Sequence, residues 1–349
     1  MPCNTNLQHP SRIAVAQLAF IGDMVFATPL LSEIHDRWPR AALLVSGRPA
    51  ALEILEDHPS TPLLLPYDKD RDDLGIAGLW RVARQLRIFK PDLFIGVSRS
   101  ARTMILARMS GAAVRIGFSG WCRRMAYTHT VQRNDAQVNL PARPLQLLHP
   151  YGAEPTVRPL QVTVSAEKRQ RGAQQLHKAG WEEEPLIAIT PGAHYATKRW
   201  PEHHFSALLD LISRGTNWRV ALYGGPREAQ LIGRLLAGRP HVLDRRDSGI
   251  RGLVEELPHA SLFISGDSDP AHLARALRVR TLILHGPTDP HLLDDGRPYH
   301  ALQLHLPCQP CSTSGDDLCP LGHHRCLQDM SPELVFHEAI RQLAASSVG

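Results

Sequence analysis

The chain has 349 residues, 43% hydrophobic, 21% charged and only 6% aromatic. At roughly 100–200 residues per domain this is enough for two cores, and the composition excludes a disordered or disulfide-stapled chain. The net charge of +5, carried mostly by arginine, attracts anionic partners; no aromatic-rich basic motif that would stack bases is present, which argues against nucleic acid.

Residues 12–19 read as a buried strand, and after the Ile21-Gly22 turn the apolar spacing from Asp23 to Trp38 is helical, so the chain opens on a βα unit. Short apolar strands follow at 42–46, 63–66 and 92–97, with a helix over 74–89 between the last two. This alternation is that of a parallel sheet, and the expected class is α/β. A second series starts after Pro159. It has a helix over 166–180, strands at 186–190, 218–223, 262–265 and 280–285, a helix beginning near Pro201, another over 271–277, and a closing amphipathic helix over 332–345. The expected domains are 1–165 and 166–330, with 331–349 a C-terminal helix. Doubly wound sheets bind ligands beyond the carboxyl ends of their strands, so two such domains facing each other would share one cleft.

The loops at those strand ends carry the candidate chemistry. Gly22 permits close backbone approach, and Asp23 puts a carboxylate at the start of a helix, where the plainer reading is a helix cap. The loop 190–201 offers Thr190, the backbone of Gly192 and Ala193, and the cations Lys198 and Arg199, a set suited to a diphosphate; the plainer reading is a solvated basic loop with Trp200 as core anchor. In the loop 265–272, Ser268 and the first amides of the next helix suit a phosphate and His272 falls in its first turn, while Asp267 or Asp269 could equally be an N-cap. Thr288, in the turn 285–290, either touches phosphate or shapes the loop. Near the C-terminus Cys308, Cys311, Cys319 and Cys326 have the ligand count of a tetrathiolate site, so a structural zinc or iron is an expectation, set against reduced thiols packed in a loop.

Taken in order, Ile21-Gly22-Asp23 with Thr28-Pro29-Leu30, Pro191-Gly192-Ala193 with Lys198-Arg199-Trp200-Pro201, Gly266-Asp267-Ser268 with His272, and Gly286-Pro287-Thr288-Asp289-Pro290 resemble the lipopolysaccharide heptosyltransferases of glycosyltransferase family 9. The segments 106–118 and 223–228 resemble that family as well. The resemblance implies a GT-B fold of two Rossmann-like domains facing across a cleft, and metal-independent, inverting transfer of heptose from ADP-heptose to the lipopolysaccharide inner core. It implies Asp23 as general base and Lys198 on the donor diphosphate, with Asp267, Ser268 and His272 on the donor loop and Glu228 near the ribose. Arg99, Arg102, Arg123 and Arg124 lie where the family's anionic acceptor docks, and arginine's fork suits carboxylate and phosphate alike. Two positions depart from the pattern. Asp269 stands where the donor loop usually has glycine, and Gly96-Val97-Ser98 replaces an acidic or amide-bearing segment.

The first ten residues show no secretory signal and no run approaches the length of a membrane span, so the expected location is cytoplasmic, with peripheral contact at the inner face of the inner membrane. Other readings stay open at this point: a family member using another nucleotide sugar or a protein acceptor, a non-catalytic nucleotide-sugar binding protein, or a sugar-nucleotide epimerase.

Overall fold

The computed structural model describes residues 9–68, 70–120, 122–135, 138–153, 156–297 and 299–344. The N-terminal segment 1–8, where a secretory signal was sought, and Ala345, the expected end of the last helix, lie outside the described residues. The chain divides into two compact units, Met1–Thr163 with Leu292–Arg297, and Val164–His291 with Pro298–Gly349.

In the first unit the elements run β1 (Arg12–Gln17), α1 (Ile21–Arg37), β2 (Ala42–Gly47), α2 (Pro49–Leu52), β3 (Leu63–Pro66), α3 (Gly75–Phe89), β4 (Leu93–Gly96), α4 (Ala101–Met109), β5 (Val114–Phe118) and β6 (His129–Val131). The strands form one parallel sheet in the order β3-β2-β1-β4-β5-β6. Both faces of such a sheet are covered, which is why β1 and β4 are nearly continuous apolar runs, with Ile13, Ala14, Phe94 and Ile95 wholly buried. Helix α1 tolerates Pro29 in its interior because the Thr28 hydroxyl donates to the Val25 carbonyl at 2.7 Å, the acceptor that a proline cannot serve.

The second unit repeats the plan. Its elements are α5 (Ala166–Lys178), β7 (Leu186–Thr190), α6 (Glu202–Gly215), β8 (Arg219–Tyr223), α7 (Ala229–Leu236), β9 (Val242–Arg245), α8 (Gly249–Glu256), β10 (Leu262–Gly266), α9 (Asp269–Ala276), β11 (Thr281–Leu284), β12 (His300–Leu302), α10 (Arg325–Gln328) and α11 (Pro332–Ala344). The parallel sheet runs β12-β11-β10-β7-β8-β9, the same winding as the first. Its core gathers Ile189, Phe205, Leu208, Leu222 and Ile264, and α11 adds Val335 and Ala339 to it.

In each sheet the strand order reverses once, between β1 and β4 in the first and between β7 and β10 in the second, and in such folds ligands bind beyond the carboxyl ends of the strands at that reversal. The sequence brings Gly22, Asp23, Ser98 and Arg99 to the loops at one reversal, and Thr190 to Lys198 with Asp267 and Ser268 to those at the other.

Helix α5 packs on α8 through Gly172, where an added Cβ would lie 2.0 Å from the Glu255 carbonyl oxygen. Gly172→Ala is therefore expected to cost about 1–3 kcal/mol by overpacking, read as a lowered urea midpoint of the full chain. An unchanged midpoint would mean that the two helices can separate freely.

Candidate active site

In the second unit, Lys198 ends a single 3-10 turn, Ala196–Lys198, after β7. Its ammonium lies 2.6 Å from Asp267 Oδ2, beyond the end of β10, and the two side chains are 13% and 5% exposed. The Thr288 hydroxyl donates to the same oxygen at 2.7 Å, and His272 Nε2 stands 3.4 Å from Asp267 Oδ1. Burial alone would raise the Asp267 carboxyl, but the adjoining Lys198 charge outweighs it and holds the group well below the usual carboxylate range. Burial pushes His272 and His285 down to about 4, Lys198 and Arg275 acting in the same sense and Asp267 opposing. At neutral pH the cluster is thus one ion pair flanked by two neutral imidazoles. An ammonium carries three donors, and the bond to Asp267 fixes its position while engaging one of them.

The surrounding loops are shaped to close on this pair. An added Cβ on Gly266 would lie 2.6 Å from the Lys198 carbonyl oxygen, and one on Gly192 would lie 2.4 Å from Glu228 Cγ, so both approaches need glycine. Glu228 Oε2 accepts the Gly225 N–H at 3.0 Å. The Thr190 hydroxyl donates to Ser265 Oγ at 2.7 Å, and Ser265 meets Ser268, the N-cap of α9, at 2.8 Å, a hydroxyl chain from β7 to the positive end of that helix. Asp269 occupies the first turn of α9. Ala193 is buried, and its carbonyl accepts Arg199 Nε at 2.9 Å. Trp200 is the core anchor, its indole N–H donating to the Met330 carbonyl at 2.9 Å.

In the first unit, Asp23 sits in the opening turn of α1 and its Oδ2 accepts the Phe20 N–H at 3.2 Å, so it does cap the helix. The side chain reaches the surface, yet enough protein surrounds it that desolvation raises its carboxyl above the usual range, against the opposing pull of the Phe20 N–H and of Arg133. A carboxylate of raised basicity suits proton abstraction. Arg99, Arg102 and Arg124 are exposed, whereas Arg123 is 8% exposed, donates to the Arg99 carbonyl and keeps Nη1 buried without a hydrogen-bond partner among the described residues. Gly96, like Gly117, lies flat under the Tyr127 ring, where an added Cβ would come within 2.3 Å of the hydroxyl oxygen.

Several residues around the Lys198 loop gave no sequence signal. Gln309 Nε2 donates to the Gly286 carbonyl at 2.6 Å, and the N–H groups of Cys311 and Ser312 donate to the Pro287 carbonyl at 2.9 and 3.1 Å. The Thr197 hydroxyl donates to the Asp316 carbonyl at 2.6 Å and accepts the Asp316 N–H at 2.9 Å. Gly315, at φ +95°, leaves the place of a Cβ 2.9 Å from Lys198 Cε. The segment 309–316 is thus a strap along the Lys198 stem. On the β9 side a cavity of about 600 Å³ is lined by Arg171, Arg245, Ser248, Arg251, Glu255 and Glu256, and Glu256 there accepts the Tyr223 hydroxyl at 2.9 Å.

The family model for glycosyltransferase family 9 (heptosyltransferase) matches residues 79–321. The chain belongs to glycosyltransferase family 9. It is 28% identical over 290 residues to lipopolysaccharide heptosyltransferase 3 of Escherichia coli, covering 78% of this chain and 82% of that protein. The solved structure of a family 9 glycosyl transferase from Veillonella parvula superposes with a TM-score of 0.84 at 21% identity, covering 96% of this chain and 98% of the other. The E. coli ADP-heptose lipopolysaccharide heptosyltransferase II structure superposes at 0.80 and 21% identity, covering 97% and 100%. The fold is therefore the GT-B-like pair of Rossmann domains, and this family 9 protein is a glycosyltransferase acting on a nucleotide sugar. Among the described residues no helix is long and apolar enough to cross a membrane.

The expected zinc or iron at the cysteine cluster is corrected. Among the described residues no group of three or more His, Cys, Asp or Glu side chains is arranged to hold a metal ion, and Cys308, Cys311, Cys319 and Cys326 are free thiols. Cys326 belongs to the apolar core beside Leu327 and Met330, and burial first, then its neighbouring cysteines, pushes its thiol up to about 11, whereas a ligand must ionise. Spacing supplied a ligand count, and the hydrogen-bonded strap holds the segment instead.

Because His272 and His285 bind a proton less readily in the fold than at the ordinary 6.5, their contribution to stability is present above that value and is lost as pH falls toward about 4. Each is expected to give a slope of up to about 1.4 kcal/mol per pH unit across that window. Urea titrations of the full chain at pH 7 and 5 check this: the pH 5 midpoint should be lower, and His285→Gln should shrink the difference. A wild-type midpoint that does not move would refute it.

Proposed function

We propose that this enzyme transfers heptose from ADP-heptose to the inner core of lipopolysaccharide, with inversion at the anomeric carbon, on the cytoplasmic side of the inner membrane. The observation that carries the reading is the preset Lys198–Asp267 pair at the strand-order reversal of the second unit, the place where such a fold receives a diphosphate. The names of the relatives support the choice of sugar and acceptor.

In this mechanism the Asp23 carboxylate takes the proton of the acceptor hydroxyl. The freed oxygen pair forms the new bond to the anomeric carbon as the bond from that carbon to the diphosphate oxygen breaks, and ADP departs. Negative charge grows on the leaving diphosphate, and Lys198 and the amide end of α9 at Ser268 meet it. Gly192 and Ala193 supply close backbone, Thr190 and Thr288 hold the frame through Ser265 and Asp267, and Glu228 faces the ribose side. His272, neutral beside Asp267, donates or accepts without adding charge. Gly22 lets the donor approach the backbone beside Asp23, and Arg99, Arg102, Arg123 and Arg124 hold anionic groups of the acceptor. Asp269, which stands where the family's donor loop usually has glycine, lies in the first turn of α9.

Asp23→Ala is expected to lower turnover at least 100-fold while leaving ADP affinity unchanged, and Lys198→Ala to lower both. Turnover with ADP-heptose and calorimetric titration with ADP provide the readouts, with unchanged circular dichroism showing that both variants fold. Turnover near wild type in either variant would remove that residue from the mechanism.

A further inference from the structure

The charge of this chain is concentrated in one stretch. From Leu74 to Asn134 there are eleven Lys and Arg and one acid, Asp92, a net +10 within a chain whose total is +5. Asp92 accepts from the N–H groups of Ser11 and Arg12 at the amino end of β1, so it does not offset the helices, whereas Asp73, just before the stretch, pairs with Arg81 of α3 at 2.6 Å and leaves Arg84 and Arg87 as the outward arginines of that helix. Helix α3, inside this stretch, contains no acidic residue. Its inward face buries Leu79, Val82, Ala83 and Leu86. Its outward face should be polar, yet Ile76, Trp80 and Ile88 stand there 73%, 59% and 62% exposed, interleaved with exposed Arg84 and Arg87. Helix α4 packs beside it and continues the pattern with exposed Ile105 and Arg108. A groove of about 450 Å³ runs along this face, lined by Ala77, Trp80, Arg84, Arg87 and Met109.

We propose that the outer face of α3, extended by α4, docks on a bilayer surface rich in anionic lipid. Large apolar side chains and arginines on one exposed helix face match the two layers of such a surface: the acyl boundary takes Ile76, Trp80 and Ile88, and lipid phosphates pair with Arg84 and Arg87. A nucleic acid would use the arginines and leave the isoleucines in water. A second copy of the chain would bring the Arg84 and Arg87 face against itself, like charge on like charge. The inference deepens the proposed function and rests on it for its purpose, since the lipopolysaccharide acceptor is itself lipid-borne. The physical basis, exposure and charge, is independent of the transfer chemistry.

The test is co-sedimentation of the full chain with vesicles of phosphatidylethanolamine and phosphatidylglycerol, compared with pure phosphatidylcholine. Binding is expected only to the anionic vesicles and should weaken as salt rises. Arg84→Gln with Arg87→Gln should lower the partition coefficient by about tenfold or more, and Trp80→Ser with Ile88→Ser by a similar factor. All four side chains are exposed, so thermal melts should match wild type, and ADP affinity should be unchanged in both double variants. Equal binding to both vesicle types, or double variants that bind as well as wild type, would overturn the inference. A salt-sensitive complex with RNA but none with vesicles would overturn it in favour of nucleic acid, and a dimer abolished by the Trp80 variant would assign the face to a second copy. Lost turnover with intact vesicle binding would count against the transferase reading alone.

Discussion

The second unit of this enzyme depends on a lysine held against an aspartate almost out of water. A carboxylate buried at 5% exposure is costly unless it is paired, and Asp267 has Lys198, Thr288 and His272 around it. The requirement reaches outward from there. Lys198 must leave β7 in a tight turn, Gly266 must lack a side chain so that β10 can pass its carbonyl, and Gly315 must lack one so that the strap can lie along its stem. Removing either charge would leave the other buried alone, which ties the integrity of the pocket to the groups proposed to meet the diphosphate.

Two units built on the same winding serve different needs. The second presents a buried, preset cation with neutral imidazoles beside it. The first presents Asp23, which keeps contact with solvent and has its basicity raised by the protein around it, together with exposed arginines. The charge of the chain is divided in the same sense, with the net +10 stretch lying wholly in the first unit. Under the proposed function, with the nucleotide sugar on the second unit and an anionic acceptor on the first, this separation of charge has a purpose.

Much of the fold could be read in the sequence because buried parallel strands are continuous apolar runs. The strands around residues 13, 44, 94, 188, 221 and 264 announce themselves, and so do the amphipathic α3 and α6. Missed were β5, β6, β9 and β12, three to five residues long, with Arg115, His129, Asp244 and His300 breaking the apolar run. Helix α4 was missed because Met104, Ile105 and Leu106 are adjacent and so define no face. At the site, Gly22, Asp23, Lys198 and Asp267 were legible since each follows a recognisable strand. The Thr197–Asp316 pair was not, because partners 119 residues apart leave no local pattern. The cysteine spacing misled for a related reason, since a ligand count says nothing about whether the thiols converge and ionise.

In the proposed reaction Lys198 meets the donor diphosphate only as Asp267 holds it, so the two charges should act on ADP as one unit. The most direct measurement is a double-mutant cycle on ADP affinity with Lys198→Met, Asp267→Asn and the two combined, using calorimetry on variants whose circular dichroism matches wild type. Each single change is expected to weaken ADP binding by about tenfold or more, and the double variant to be no weaker than the worse single one. Strictly additive losses, or an Asp267→Asn variant that binds ADP as wild type does, would show that the pair does not act as a unit.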